Sequence, residues 1–240
     1  MAPSLIWPEA RSQARPLGFA HRGAGRSRNE HNTLVAFERA LALGARGLES
    51  DIALTRDGVP ILAHPRLFER GPRLASLRRE ELPAHIPSLH ELYRRCGNDF
   101  DLALDMAQPA AADDVVRIAE QHGAAERLWL TYWHLSSLKT WRQRWPNAHL
   151  VYPTLPLRPG GAIRLLDRLA EQQVTALNIH HRFCTARLVA QTHSRGILIF
   201  AWGVRTRQPL ARLIAHGIDG LFCDDVEGMV EALGLSRSAE

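Results

Sequence analysis

The chain alternates short apolar segments with longer segments of helical periodicity, and this alternation narrows the possible folds further than any single motif. The strand-like segments number eight, at residues 17–21, 47–54, 100–106, 127–133, 149–154, 174–181, 197–204 and 217–225. Each precedes a helical segment, at residues 34–44, 88–95, 110–122, 136–144, 161–172, 185–195, 208–216 and a last one that ends near residue 233. The sequence therefore predicts eight consecutive strand–helix units.

These strands are apolar on both faces, as expected for a parallel sheet that is covered by helices. Eight such units with short connections predict an α/β chain folded as a single (β/α)8 TIM barrel, for which 240 residues is an ordinary length. An open, doubly wound sheet is the alternative, but no Gly-x-Gly-x-x-Gly turn follows any of the strands. We expect one domain over residues 1–240, with residues 1–15 as an extended leader.

Composition excludes several classes of protein. No apolar run approaches the ~18 residues that suggest a membrane span, although 45% of the residues are hydrophobic. The first 16 residues contain three prolines and no continuous apolar run, so they do not have the pattern of a secretory signal. We therefore expect a cytoplasmic protein without stable membrane insertion.

Cysteine spacing and charge narrow the classes of partner. Cys96, Cys184 and Cys223 are far apart and form no Cys-x-x-Cys pair, which argues against a disulfide framework or a zinc site. The net charge of +5 comes mainly from dispersed arginines, because Lys139 is the only lysine. No nucleic-acid motif accompanies this charge, so we expect a small phosphate-bearing substrate and no nucleic acid. A homo-oligomer is compatible with the sequence.

Three carboxylates fall on strands where active sites of parallel barrels are built. Glu49 and Asp51 are two residues apart on a strand, so their side chains point to the same side. Asp105 lies at the carboxyl end of the third barrel strand. Each acid alone could pair with one of the many arginines, but three together favour a hard divalent cation, Mg²⁺ or Ca²⁺.

Two histidines and an arginine flank these acids. His21 and His64 end two extended segments, and histidine titrates near neutral pH, as a general acid or base requires. Arg22 can hold a phosphate with its fork of donors. The alternatives are a hydrogen-bonded structural role for each histidine and a surface ion pair for Arg22.

The motifs as a set resemble those of the glycerophosphodiester phosphodiesterases. The resemblance spans nearly the whole chain in the right order and is most specific over its first ~50 residues. It rests on HRG at residues 21–23, Asn32-Thr33, GLESDIALTRDGVPILAH at 47–64, IPSLHEL at 86–92, AWGV at 201–204 and GIDGLFCDD at 217–225.

The resemblance implies a TIM barrel and metal-dependent hydrolysis of glycerophosphodiesters to sn-glycerol 3-phosphate and an alcohol. It implies that His21 and His64 are the acid/base pair and that the three carboxylates bind the metal. It also implies that Arg22 binds phosphate and that Trp202 matches the aromatic residue of the family's Trp-Thr-Val-Asn segment.

The chain departs from the family pattern at several positions near the expected site, one of which is Asp105, where the family has the longer Glu. His31 stands where the family has Glu, with Glu30 one place earlier, and Pro65 replaces an Asp that follows the second catalytic histidine. Ala107 replaces a lysine expected to face the phosphate, and Arg205 replaces the Asn of Trp-Thr-Val-Asn. Arg205 ends the seventh barrel strand and is our candidate for the missing cation.

These departures keep two alternative functions open. One is cleavage of lysophospholipids, as by lysophospholipase-D-like relatives, and the other is phosphodiester binding with impaired catalysis. His134, His180 and His181 also follow predicted strands and could take part in a rebuilt phosphate pocket, or they could be ordinary loop residues. Residues 65–87 form the longest stretch between core elements and are the expected place for a lid.

Overall fold

A computed structural model describes residues 15–27, 30–64, 74–155 and 161–235. Its nine strands are β1 (Leu17–Ala20), β2 (Gly47–Leu54), β3 (Pro60–Leu62), β4 (Asp101–Met106), β5 (Leu128–Thr131), β6 (His149–Thr154), β7 (Ala176–His180), β8 (Leu198–Val204) and β9 (Gly220–Cys223). Its helices are α1 (Leu34–Ala42), α2 (Leu89–Cys96), α3 (Ala112–Gln121), α4 (Leu135–Arg144), α5 (Gly161–Glu171), α6 (Ala186–His193), α7 (Leu210–Ala215) and α8 (Val226–Ala232).

Eight of these strands close into a parallel barrel, which confirms the predicted (β/α)8 fold. The strand order is β1-β9-β8-β7-β6-β5-β4-β2, and β1 also pairs with β2, so the sheet has no open end. The open-sheet alternative is therefore wrong. Strand β3 lies outside this count because it pairs antiparallel with the end of β2, after a tight turn. This hairpin brings His64, which follows β3, back towards Asp51 on β2.

The barrel encloses its own apolar core. Phe19, Trp129, Phe200 and Phe222 come from four different strands and pack together, with ring centroids 5.0–6.3 Å apart. Alternate residues on the same strands face the helices and join a larger outer layer of leucines, isoleucines and valines. Burial of each large apolar side chain stabilises the fold by about 1.5–3 kcal/mol, so the barrel is a rigid support for side chains at its rim.

Side-chain caps fix where two helices near the site begin. The Thr33 hydroxyl accepts a hydrogen bond from the Ala36 amide (3.3 Å) at the start of α1. At the start of α2, Ser88 accepts from the Glu91 amide, and Glu91 in turn accepts from the Ser88 amide (2.7 Å). Each such cap stabilises its helix by about 1 kcal/mol.

The stretch proposed as a lid is described only in part, because residues 65–73 lie outside the described residues, and Pro65 with them. Leu74, Leu82 and Ile86 are buried against Ile61 and neighbouring residues of the β2–β3 hairpin. The described part is thus anchored to the hairpin. Whether the whole stretch closes over the cavity stays a prediction.

Candidate active site

One large cavity opens at the carboxyl-terminal face of the barrel, where all eight parallel strands end. Its volume is about 1490 Å³. Its lining combines polar and apolar side chains: His21, Arg22, His31, Asn32, Glu49, Leu62, Ala63, His64, His85, Ile86, Asp105, Trp133, Pro153, Thr154, Leu155, Asn178, Trp202, Gly203, Arg205, Phe222 and Asp224. Seven of the eight residues that the sequence assigns to acid/base catalysis, metal binding or substrate binding line this cavity; the eighth, Asp51, is buried and contacts the lining residues Arg22 and Asn32.

The three carboxylates converge, as the spacing predicts. Asp51 and Asp105 are register partners on the neighbouring strands β2 and β4, and Glu49 precedes Asp51 on the same side of β2. One oxygen from each lies within 4.8 Å of the others. Such a group of oxygen donors suits a hard divalent cation, so these residues fit the metal that the resemblance implies.

Electrostatics support the same interpretation. Burial, together with the charges of Asp51 and Asp105, raises the pKa of Glu49 to about 8 against the opposing effect of His21. Asp105 is accessible from the cavity but recessed within the barrel wall, and this partial desolvation together with Asp51 raises its pKa to about 6. A cation would relieve this repulsion.

His21 is held between two carboxylates. Its Nδ1 lies 2.6 Å from Asp224 Oδ1, and its Nε2 lies 3.9 Å from Glu49 Oε2. Burial alone would lower the pKa of His21, but Glu49 and the hydrogen-bonded Asp224 outweigh burial and raise it. Asp224 therefore fixes the orientation of the His21 ring, with a proton on Nδ1 and with Nε2 directed towards Glu49, one of the predicted metal ligands.

The backbone after β1 is strained in a way that serves the site. Arg22 has φ 53° and ψ 32°, in the left-handed region that a non-glycine residue rarely occupies. This conformation lets the Arg22 amide donate to Glu49 Oε2 (2.9 Å). Gly23 follows with φ 69°, and a Cβ there would lie 2.9 Å from the Phe37 ring. The His-Arg-Gly motif thus combines a strained turn with close packing on α1.

Asp51 is oriented by three neighbours. The Arg22 Nε lies 3.1 Å from Asp51 Oδ2, and the Asn32 amide donates to the same oxygen (3.3 Å). The Ser50 hydroxyl donates to Asn32 Oδ1 (2.9 Å), which fixes that amide. His64 Nε2 approaches the other Asp51 oxygen at 3.8 Å. Both predicted catalytic histidines therefore contact carboxylates of the predicted metal site.

Trp202 and Arg205, at the end of β8, also line the cavity. Trp202 contacts His180 edge to face, with ring centroids 4.6 Å apart. Gly203 makes room for this contact, because a Cβ there would lie 2.8 Å from His180 Nε2. Of His134, His180 and His181, none is among the described residues that line the cavity. His180 thus packs behind the lining residues Trp202 and Gly203, whereas Arg205 lines the cavity itself.

The departures seen in the sequence have different consequences. His31 lines the cavity beside His21, and burial, followed by Arg22 and His21, lowers its pKa. Glu30 does not take the place of the family's Glu, because it accepts from the Arg26 amide and pairs with Arg39 (3.0 Å) away from the cavity. Ala107 leaves no cation at the end of β4.

Sequence reasoning did not assign a role to Asp224 or Asn32 in the site. Both residues belong to motifs that carry the family resemblance, Asn32-Thr33 and GIDGLFCDD, but neither motif assigns them a contact. The available signal was position: Asp224 directly follows β9, and β9 pairs with β1, which carries His21 at its end. Barrel closure pairs the first and last strands and so brings His21 and Asp224 into contact.

A sequence model described as the glycerophosphoryl diester phosphodiesterase family matches residues 21–85 and 98–228. A glycerophosphodiester phosphodiesterase of Caldanaerobacter subterraneus is 24% identical over 238 residues, covering 89% of this chain and 96% of the relative. A probable glycerophosphodiester phosphodiesterase 1 of Mycobacterium tuberculosis is 35% identical over 105 residues, covering 42% of this chain and 38% of the relative.

Solved structures share the fold. A putative glycerophosphoryl diester phosphodiesterase from Silicibacter pomeroyi superposes with a TM-score of 0.79 at 22% identity, covering 94% of this chain and 96% of that chain. A phosphodiesterase from Oleispira antarctica, solved in complex with the product sn-glycerol-3-phosphate, has a TM-score of 0.77 at 20% identity, covering 92% of this chain and 97% of that chain.

Proposed function

The chain belongs to the glycerophosphoryl diester phosphodiesterase family, and we propose that it hydrolyses glycerophosphodiesters to sn-glycerol 3-phosphate and an alcohol in the cavity described above. The observation that carries the proposal is the convergence of Glu49, Asp51 and Asp105 within 4.8 Å, between His21 and His64 at one cavity floor. A purely structural role for these carboxylates would not explain why two histidines are directed at them.

Glu49, Asp51 and Asp105 would hold a divalent cation, Mg²⁺ or Ca²⁺, through their oxygens. When bound, such a cation supplies positive charge that stabilises the developing charge on the phosphoryl oxygens. The chain's own contribution is to hold the carboxylates of β2 in place. Asn32 and the Arg22 amide do so by hydrogen bonds to Asp51 and Glu49.

His21 and His64 would move the protons. One takes the proton from the attacking hydroxyl as its oxygen bonds to phosphorus. The other gives a proton to the oxygen of the leaving alcohol as the second phosphorus–oxygen bond breaks. The attacking group is water, or it is the neighbouring glycerol hydroxyl, in which case water then opens the resulting cyclic phosphate to glycerol 3-phosphate. Asp224 accepts from His21 Nδ1 and so leaves Nε2 as the atom that exchanges protons.

Two guanidinium groups would bind the phosphate. Arg22 is held by Asp51, and Arg205 follows β8 and also lines the cavity. A guanidinium presents donors in a fixed fork that matches two phosphoryl oxygens. Arg205 thus supplies the positive charge that Ala107 does not, and Trp202 forms the wall beside it.

A second substrate class has an observation in its favour. The cavity is large for a glycerophosphodiester, and Ile86, Trp133 and Leu155 give it an apolar wall. An apolar wall beside the site suits the acyl chain of a lysophospholipid. Glycerophosphocholine and lysophosphatidylcholine both yield choline when the phosphodiester is cleaved. The rates of choline release from the two compounds can therefore be compared directly.

Choline release is to be measured from both compounds with Mg²⁺, Ca²⁺ or EDTA. Preference for glycerophosphocholine supports the main proposal, and preference for lysophosphatidylcholine supports the second. Tight binding of glycerol 3-phosphate without release from either compound would mean a binding protein with impaired catalysis.

A further inference from the structure

All five exposed large hydrophobic side chains in the described part of the chain lie at the carboxyl-terminal face of the barrel. They stand directly after parallel strands or in the first turn of the helices that follow, and both positions belong to that face. They are Val35 (64% exposed), Trp133 (68%), Leu155 (71%), Ile163 (45%) and Phe183 (44%). Single exposed apolar residues need no explanation, but their confinement to one face does.

Four of the five belong to neighbouring units of the barrel. Trp133 follows β5, Leu155 follows β6, Ile163 lies in the first turn of α5, and Phe183 follows β7. Strands β5, β6 and β7 are consecutive in the sheet. Trp133 and Leu155 also line the cavity mouth. We call the surface formed by Trp133, Leu155, Ile163 and Phe183 the apolar rim.

The charge around the apolar rim is of one sign. Residues 131–137, 153–155, 161–165 and 180–187 contain no Asp or Glu, and they include Arg164, Arg182 and Arg187. Several arginines elsewhere on the surface are paired, as Arg195 is with Asp167 (2.7 Å). Among the described residues, no ion pair involves the three rim arginines. The rim therefore combines exposed apolar groups with uncompensated positive charge.

We propose that the apolar rim docks the protein on an anionic phospholipid bilayer, with the cavity mouth turned towards the lipid. Tryptophan and aliphatic side chains enter the headgroup region, and nearby arginines attract anionic lipids. In the described residues no helix is long and apolar enough to cross a membrane, so the association is peripheral.

Other occupants match the rim less well. In a symmetric dimer through this face, the arginines of both copies would meet and repel each other. A nucleic acid would satisfy the arginines but leave Trp133, Leu155 and Phe183 without apolar partners. An anionic bilayer alone supplies negative charge and an apolar interior together.

The test measures co-sedimentation of the full chain with vesicles, without substrate or turnover. Vesicles of phosphatidylcholine and phosphatidylglycerol (3:1) are compared with phosphatidylcholine alone, at low and high salt. We expect binding to the anionic vesicles that weakens with salt, and at least tenfold weaker binding for Trp133→Ser/Leu155→Ser. Both side chains are exposed, so thermal unfolding should be unchanged in this variant.

A charge-matched pair of variants tests the electrostatic part. Arg182→Gln/Arg187→Gln should lose most of the preference for anionic vesicles. Arg46→Gln/Arg168→Gln removes the same charge where β2 begins and where α5 ends, at the opposite end of the barrel, and should bind as the unchanged protein does.

Three results would overturn the proposal: no binding to anionic vesicles, equal losses in the rim and control variants, or a dimer that Trp133→Ser/Leu155→Ser dissociates. Because the readout does not involve catalysis, such a failure would leave the proposed hydrolysis untouched.

Discussion

His21 and Asp224 are 203 residues apart in the chain, yet their side chains meet at 2.6 Å across the seam where the barrel closes. His21 directly follows β1 and Asp224 directly follows β9, and these strands are paired. The contact ties the predicted acid/base residue to the last strand of the fold. Barrel closure is therefore a condition for a correctly oriented His21.

Asp224→Asn should lower activity by about 10²-fold or more, mainly in kcat, because an amide cannot stabilise protonated His21 or enforce a proton on Nδ1. Asp224 helps to raise the pKa of His21. The limb of the pH–rate profile that His21 sets should therefore move to lower pH in the variant.

Steady-state kinetics from pH 5 to 9 with glycerophosphocholine measure both effects. Asp225→Asn is a neighbouring control, since Asp225 caps α8 through the Gly228 amide and does not contact His21. Unchanged kcat and an unmoved profile in Asp224→Asn would contradict the role given to Asp224.

Cation binding should stabilise the protein more at pH 8.5 than at pH 5.5. Glu49 has a raised pKa of about 8, so the folded state holds a proton that the unfolded state releases near pH 4.5. Without a cation, the contribution of Glu49 to stability is therefore greatest below pH 4.5 and falls as the pH rises towards 8. A cation that needs ionised carboxylates binds more tightly over the same range.

Thermal unfolding with EDTA, Mg²⁺ or Ca²⁺ measures this linkage. At 100-fold excess over Kd the gain is about 2.7 kcal/mol, or roughly 5–11 °C for a chain of this size. Glu49→Gln should abolish most of the gain. A cation shift of equal size at both pH values, or one that survives in Glu49→Gln, would place the cation elsewhere.

Arg205→Gln should reduce kcat/KM by about 30–1000-fold, which corresponds to the ~2–4 kcal/mol that a charged donor to the phosphoryl group contributes. Ala107→Lys in the same variant should recover part of the loss, because it returns a cation to the end of β4. Arg182→Gln is the matched control, since Arg182 is exposed and is not among the described lining residues. Unchanged kinetics in Arg205→Gln would remove Arg205 from the phosphate site.

His193 and Asp219 form an ion pair whose contribution to stability depends on pH. His193 Nε2 lies 2.7 Å from Asp219 Oδ2, and this hydrogen bond raises the pKa of His193 above 6.5. The stabilisation is thus present in full below pH 6.5 and is lost as the pH rises through the raised value. Because His193 is partly exposed, we expect less than about 1 kcal/mol.

Urea unfolding of the unchanged protein and His193→Gln at pH 5.5 and 8.5 tests the sign. The difference between the two proteins should be larger at pH 5.5. A larger difference at pH 8.5 would mean that the pair does not act through protonated His193.

The fold could be predicted because its signal repeats. Eight apolar segments alternate with helical ones, and local caps such as Thr33 and Ser88 stand where the helices begin. The extended segment that ends at His64 was predicted as well, and the structure limits its pairing with β2 to the three residues of β3. Helix ends differ from the predicted bounds by one or two residues, where the last turns depend on tertiary contacts.

The site could be predicted where chemistry follows local spacing. Glu49 and Asp51 share one side of β2 because strand side chains alternate. The left-handed backbone of Arg22 could not be predicted, because an arginine gives no local signal for φ 53°. Asp224 was missed because its role depends on contact with a residue at the other end of the chain. Long-range pairing and strain are properties of the closed barrel rather than of any short segment.

The most direct test of the central claim is release of glycerol 3-phosphate from glycerophosphocholine by the unchanged protein, His21→Ala and His64→Ala, each with Mg²⁺, Ca²⁺ or EDTA. His90→Ala, on an exposed part of α2 away from the cavity, is the control for loss of a histidine. We expect release that needs the cation, falls by about 10²–10⁴-fold in both site variants and is unchanged in His90→Ala. Release that persists in EDTA or in His21→Ala, or no release under any condition, would contradict the account.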